Sequence, residues 1–335
     1  MLPAILGLAG PALTDGERAF LRAADPAGFI LFARNVADRA QLKALTGSLR
    51  DLSGRADLPI LIDQEGGRVA RLKPPEWPAF PAPARFAELY ETAPISAIEA
   101  ARANGEALAV TLTEVGINVD CLPLLDVPQP GAHDIIGDRA LGAEPMRVAA
   151  LGRALLDGLA AGGVCGIVKH IPGHGRARAD SHKELPVVEA DEEEFATDLA
   201  PFRALKGAAM AMTAHVLYPA WDAERPATVS PTIVGEVIRG EIGFDGLLMS
   251  DDLAMEALSG TLAERTRAAL AAGCDVALHC SGVLAESEEV AGAAGEMSAA
   301  ASARLARALA GVAGKASTRS YAELAAKRDA LLAYA

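Results

Sequence analysis

The chain is poor in aromatic residues (4%), in charged residues (22%) and in cysteine, with four among 335 residues. Those four, Cys121, Cys165, Cys274 and Cys280, form no CxxC pair and sit in apolar stretches. They read as small buried hydrophobes of a reducing compartment rather than as a disulfide framework. Positive charge is short as well: 31 Lys and Arg face 44 Asp and Glu, a net charge of −13, with a pI near 5.0. An acidic chain without a basic run repels phosphate backbones, which argues against nucleic acid as a partner. No uninterrupted run of 18 apolar residues occurs, so no membrane span is expected. The apolar N-terminus contains Pro3 and Pro11 and has no Lys or Arg before Arg18, so it lacks the charged start of a secretory signal. The cytoplasm is the expected location. Two phosphate-binding signatures are also missing. The first turn, residues 7–16, is not GxGxxG, and no GxxxxGK[ST] occurs anywhere.

What is present is apolar: 51% of residues are hydrophobic and the mean hydropathy is +0.22. That excludes a disordered chain and supports a large core. Short β-branched or leucine-rich runs at 2–8, 28–32, 59–63, 118–124, 164–169, 208–214, 246–250 and 275–280 read as strands. Helix-period segments alternate with them at 14–24, 37–53, 94–115, 143–162, 191–206, 230–240, 261–273 and about 283–313. Asp15, Asp191, Ser230 and Ser250 stand where caps or helix-entry turns would lie. Eight strands alternating with eight helices is the count of a (β/α)₈ TIM-type barrel, and a doubly wound sheet would have fewer strands. The expectation is a single α/β barrel over residues 1–313, with an extra C-terminal helix over 314–335 packed on it. The loop 64–93, with five prolines, is expected to be structured and functional.

In such a barrel the C-terminal strand ends share one mouth, where the chemistry collects. Here they are polar: Asp63 ends the third strand, Lys169-His170 the fifth, His215 the sixth and Asp251-Asp252 the seventh. Three of the six histidines, His170, His174 and His182, fall within thirteen residues. With Asp180 they are zinc-type donors, but Pro172, Gly173 and Gly175 forbid the helix that an HxxxH pair needs, so no metal site is expected. In an extended Asp180-Ser181-His182 segment, carboxylate and imidazole point to one side. A carboxylate fixes the tautomer of such an imidazole and suits it to proton transfer. At Asp251-Asp252, alternation along a strand sends only one carboxylate to the mouth, as nucleophile or base; the residues alone leave open which.

Five strings occur in order: Asp63-Gln64-Glu65-Gly66-Gly67-Arg68-Val69, Ile136-Gly137-Asp138-Arg139, Lys169-His170-Ile171-Pro172-Gly173-His174-Gly175, Asp180-Ser181-His182 and Ser250-Asp251-Asp252-Leu253-Ala254-Met255. Together they resemble the cytoplasmic, single-domain β-N-acetylglucosaminidases of glycoside hydrolase family three. The resemblance runs from about residue 5 to 282, and residues 28–36, 212–216 and 273–275 fit it too. It implies a retaining glycosidase with Asp251 as nucleophile, His182 as acid/base and Asp180 as the partner of His182. It also implies a sugar-binding set of Asp63, Arg71, Arg139, Lys169 and His170. The implied substrate is N-acetylglucosamine β-linked to 1,6-anhydro-N-acetylmuramic acid, with or without peptide, cleaved in peptidoglycan recycling. No metal or organic cofactor is implied, and no partner beyond this carbohydrate or muropeptide; a monomer is expected. Two departures stand out. Ile171 replaces the usual Phe, and Arg176-Ala177-Arg178-Ala179 is more basic than the pattern.

Overall fold

The computed structural model describes residues 1–334. Its eight parallel strands are β1 (Leu2–Gly7), β2 (Pro26–Leu31), β3 (Ile60–Ile62), β4 (Val119–Asp120), β5 (Cys165–Ile171), β6 (Met210–Thr213), β7 (Leu247–Asp252) and β8 (Val276–His279). They close in sequence order into one barrel, with β1 pairing β8 through Ala4↔Ala277 and Leu6↔His279. Every residue of β1, β2 and β5 is buried, as expected of parallel strands covered on both faces. Alternate side chains such as Ile5, Ile30, Leu61, Ile167, Met212 and Met249 fill the barrel, while their neighbours pack outward against the helices.

The helices are α1 (Asp15–Ala24), α2 (Arg39–Ser53), α3 (Ala84–Thr92), α4 (Pro94–Glu114), α5 (Pro145–Ala161), α6 (Glu192–Ala204), α7 (Leu262–Ala272), α8 (Leu284–Ala294), α9 (Ala299–Ala310) and α10 (Tyr321–Leu332). Between α6 and α7, Ile233–Glu241 is wound as a π-helix. Local chemistry sets several starts. Thr14, Asp191, Thr261 and Ser320 each form a capping box with the Glu three residues on. Of the four expected cap positions, Asp191 is a cap and Ser230 Oγ accepts from Ile233 N at 3.1 Å. Asp15 opens α1, whose cap is Thr14. Ser250 is instead a buried residue of β7, its Oγ accepting from Leu278 N at 2.9 Å, which ties β7 to β8.

Two other expectations change. The stretch 283–313 is two helices, broken at Gly295 where φ is +68°. The break lets α9 leave the outer ring: Leu305, Ala308 and Leu309 join the cluster that fills the barrel, and Met297 N donates to Met1 O at the start of β1. This helix stoppers the N-terminal end and leaves the other end open. Residues 84–92, expected to be loop, form α3, because the prolines stop at Pro83 and Phe86, Ala87 and Leu89 present a buried face. The extra C-terminal helix is α10, which lies against α4. Ser317 donates to Glu106 at 2.6 Å and the buried Arg328 donates to Asn104 at 3.1 Å. Among the described residues, no helix is long and apolar enough to cross a membrane.

Candidate active site

The open end of the barrel holds a cavity of about 450 Å³. Its wall includes Asp63, Arg71, Arg139, Lys169, His170, His182 and Asp251, seven of the eight residues singled out from the sequence. The eighth, Asp180, stands behind His182.

Two carboxylates and three cations make one side. Asp63 follows β3, accepts from Lys169 Nζ at 3.1 Å and from Arg71 at 3.0 Å. Glu65, whose side chain has no exposure, takes both Arg139 nitrogens at 2.8 and 2.9 Å and Lys169 Nζ at 2.7 Å. Such a forked pair fixes the guanidinium in plane. Burial pushes both carboxyls up, but Lys169, Arg71 and Arg139 outweigh it and hold them below the usual carboxylate range. Burial likewise opposes the charge on Lys169, and Glu65 and Asp63 reverse it and raise the ammonium above its ordinary value. The group is charged throughout and presents fixed donors and acceptors suited to sugar hydroxyls.

A second network lies at β5. Asp126 Oδ2 accepts from His170 Nδ1 at 2.7 Å, while its Oδ1 accepts from the backbone N–H of His170 and of His174, at 3.2 and 2.7 Å. Burial acts against this carboxylate, but the two histidines bring it down to about 2. A carboxylate only accepts, so the proton sits on His170 Nδ1. His174 is buried beside it, with Nδ1 unpartnered and Nε2 3.3 Å from Ser181 Oγ; burial brings its pKa to about 4.

The Asp180–His182 contact exists, although its geometry differs from the extended segment expected. Asp180 opens a turn, accepting the His182 backbone N–H at 3.0 Å and His182 Nδ1 at 2.9 Å, while its own carbonyl accepts from Lys183 N. Burial raises the Asp180 carboxyl, but the two His182 contacts hold it below its ordinary value. Ionised Asp180 therefore keeps the proton on Nδ1 and leaves Nε2 as the exchanging atom. The His182 side chain is 61% exposed, against 13% for Asp180.

Both Asp251 and Asp252 reach the cavity, so strand alternation did not separate them, but their surroundings do. Asp252 Oδ1 is taken up by Ala254 N and Cys280 N, both at 3.1 Å, and burial raises its carboxyl. Asp251 Oδ1 accepts one bond, from Asp252 N at 2.8 Å. Burial pushes Asp251 up, but His170, His215, the Asp252 N–H and His182 hold it below its ordinary value. An ionised carboxylate with an uncommitted oxygen is what a nucleophile requires. His215 is fully buried and does not line the cavity. Its Nε2 donates to the Asp252 carbonyl at 2.9 Å, so Nδ1 accepts from Thr228 Oγ1 at 2.7 Å, and burial keeps the ring below its ordinary pKa. It braces β7 at the nucleophile. The residues missed from sequence are Glu65, Asp126 and His174 in their observed roles. The lone Asp126 after Leu124-Leu125 was the only available signal for its network.

Placement of the two loops rests on close packing. Gly67 N donates to Phe80 O, and a Cβ at Gly66 (φ +95°) would lie 2.2 Å from the Pro81 carbonyl oxygen. The Asp63–Arg71 loop is thereby folded onto residues 80–82. Among the described residues, no group of three or more His, Cys, Asp or Glu is arranged to hold a metal ion.

A closed barrel with paired acidic and imidazole groups at its C-terminal end defines a glycosidase-type site. The chain belongs to glycosyl hydrolase family 3: residues 6–312 match the model of the glycosyl hydrolase family 3 N-terminal domain. It is 42% identical over 288 residues to a beta-hexosaminidase of Aromatoleum aromaticum, covering 83% of this chain and 79% of that one. It is 41% identical over 283 residues to a beta-hexosaminidase of Bordetella avium, covering 83% and 80%. The fold is similar to that of NagZ from Neisseria gonorrhoeae solved with N-trifluoroacetyl-D-glucosamine. The TM-score is 0.84 at 32% identity, over 99% of this chain and 96% of the other.

Proposed function

We propose that this family 3 glycosidase, a β-hexosaminidase, removes terminal β-linked N-acetylglucosamine from cytoplasmic peptidoglycan fragments through a covalent glycosyl-aspartate. The observation that carries the reading is one cavity lined by an ionised carboxylate with a free oxygen, Asp251, and an exposed imidazole backed by a carboxylate, His182 with Asp180.

In this scheme Asp63, Arg71, Arg139, Lys169 and His170 bind the sugar hydroxyls and acetamide. Asp251 attacks the anomeric carbon while His182 Nε2–H protonates the departing oxygen, leaving a glycosyl ester and a neutral imidazole. His182 Nε2 then takes a proton from water as the water attacks the same carbon, and Asp251 leaves. Two displacements retain the anomeric configuration. Asp180 supports the imidazolium when it forms, and Asp252 stays out of the chemistry because burial favours its neutral form and its Oδ1 is held by the Ala254 and Cys280 N–H groups.

Incubation with 2-deoxy-2-fluoro glycosides carrying a good leaving group should label Asp251, located by peptide mass spectrometry. N-acetylglucosamine should be released from its disaccharide with 1,6-anhydro-N-acetylmuramic acid. Turnover without a labelled aspartate would favour assistance by the substrate acetamide, and binding without release would make the barrel a sugar-binding protein.

A further inference from the structure

The basic string at 176–179 has a place in the structure that the reaction scheme leaves unused. Residues 172–191 leave the end of β5, carry Asp180 and His182 at their tip and return as α6. The returning limb is sewn to the barrel by main chain: Val188 N donates to Leu217 O and Leu217 N to Pro186 O, both at 2.9 Å. On the outgoing limb Ala177 O accepts from His133 N at 2.8 Å, Gly175 O accepts from Gln129 N at 3.0 Å, and Gly173 O accepts from Tyr218 Oη at 2.5 Å.

One side chain of this limb is clamped. Arg176 Nε donates to Asp198 Oδ2 at 2.6 Å, while its terminal nitrogens reach Glu194 Oε1 at 2.9 Å and the Glu194 carbonyl at 3.1 Å. Arg176 is 13% exposed and Asp198 8%, so the first pair is largely out of water. Burial pushes the Asp198 carboxyl up to about 6 against the pull of Arg176, and its second oxygen has no partner. A carboxylate kept in so unfavourable a place acts through the single group that holds it, Arg176. Arg178, two residues on, is exposed and has no such partner.

We propose that Arg176 and Asp198 are positioning residues for proton transfer: the fork onto α6 sets the root of the loop, and thereby the distance of His182 Nε2 from the glycosidic oxygen. Three residues, 177–179, lie between Arg176 and Asp180, and none of their side chains makes a hydrogen bond; the Ala177 carbonyl accepts from His133 N, and beyond Asp180 the Ser181 carbonyl accepts from Ala257 N at 3.3 Å while its Oγ meets His174. A loose root therefore moves the tip. Lys169 and His170 lie within β5, ahead of the loop, and the rest of the sugar-binding group and Asp251 stand on other elements, so they keep their places. The consequence is selective: protonation of poor leaving groups and activation of water suffer, while nucleophilic attack does not.

The proposal rests on His182 as acid/base, and the test separates the two. kcat/KM reports the first displacement, so it is compared for a 2,4-dinitrophenyl and a phenyl β-N-acetylglucosaminide in Arg176→Ala, Arg176→Lys, His182→Ala and the double variant Arg176→Ala/His182→Ala. General acid help is worth about 10²–10⁴-fold, and the Arg176→Ala loss should be about 10-fold or more of that on the phenyl substrate and under about 3-fold on the dinitrophenyl one. The double variant should be no worse than His182→Ala alone, because both act on one step. Azide should restore the steady-state rate of Arg176→Ala on the dinitrophenyl substrate, since it needs no base. Arg176→Lys, which keeps the charge but cannot fork, should lie between; it also carries the comparison if the alanine variant does not fold. Equal losses on both substrates, or losses that add in the double variant, would overturn the positioning role. If His182→Ala shows no dependence on the leaving group, the acid/base reading itself falls, and the proposal with it.

Discussion

Glu65 holds two cations of the sugar-binding group, and among the described residues no other acidic side chain touches Arg139. Breaking a buried pair from one side leaves its partner charged and uncompensated, at a cost of about 3–5 kcal/mol when the pair is sealed from water. Glu65→Gln keeps the shape and removes the charge, so Arg139 and Lys169 lose their fixed positions. The expected outcome is a rise in KM and in the product inhibition constant of about 10-fold or more, with kcat changed less, since uniform binding is what is lost. Asp126 makes a different prediction. Its pKa is lowered from 3.8 to about 2, so it stabilises the fold above pH 4 and that contribution is lost as pH falls toward 2. Asp126→Asn should be less stable at neutral pH. The gap from the parent protein should narrow by on the order of 1 kcal/mol between pH 5 and pH 3, read from urea unfolding at each pH.

At the scale of elements, the loops over the barrel mouth are held by backbone proximity as much as by side chains. A Cβ on Gly175 would fall 2.1 Å from Val127 O and 2.4 Å from Val127 C. Neither atom belongs to a side chain that could turn away, so Gly175→Ala must displace the outgoing limb of the loop bearing Asp180 and His182. Overpacking of this kind costs about 1–3 kcal/mol. The variant should lose stability by that amount in denaturant titration and should lose more activity on phenyl than on dinitrophenyl glycosides. Gly207→Ala, where nothing lies within 4 Å of the new methyl, is the matched control and should be neutral in both measurements.

For the whole molecule, two segments beyond the eighth strand finish the architecture. Helix α9 stoppers one end of the barrel, and α10 pins the distant loop of residues 64–83 to α4. Arg328 is 4% exposed, donates to Asn104 and lies with its guanidinium 5.6 Å from the centre of the Phe80 ring, which also meets Tyr321 edge-on at 5.8 Å. Arg328→Ala removes a hydrogen bond, a cation–π contact and buried stem packing together. It should cost about 2–3 kcal/mol, seen as a lower urea midpoint with an unchanged slope.

Much of this was readable along the chain. Strands buried on both faces are largely apolar up to their C-terminal ends, so all eight declared themselves as short runs such as Leu2–Gly7 and residues 247–249. The resemblance pointed to the residues that line the cavity. Asp180 and His182 could be paired in advance because a single residue separates them, although a turn and not a strand brings them together. Long-range partners left no such mark. Arg139 meets Glu65 across 74 residues, Lys169 meets Asp63 across 106, and His170 meets Asp126 across 44. Nor could periodicity tell that β7 would run on past Ser250 to Asp252, or that Gly295 would bend a helical stretch beneath the barrel. The sequence by itself determined the elements and the chemical types at the strand ends, since both follow from local pattern and residue chemistry. Only the closed barrel decided which of Asp251 and Asp252 is held ionised beside the imidazoles, and which carboxylate steadies each cation, because those outcomes depend on burial and on neighbours delivered by other strands.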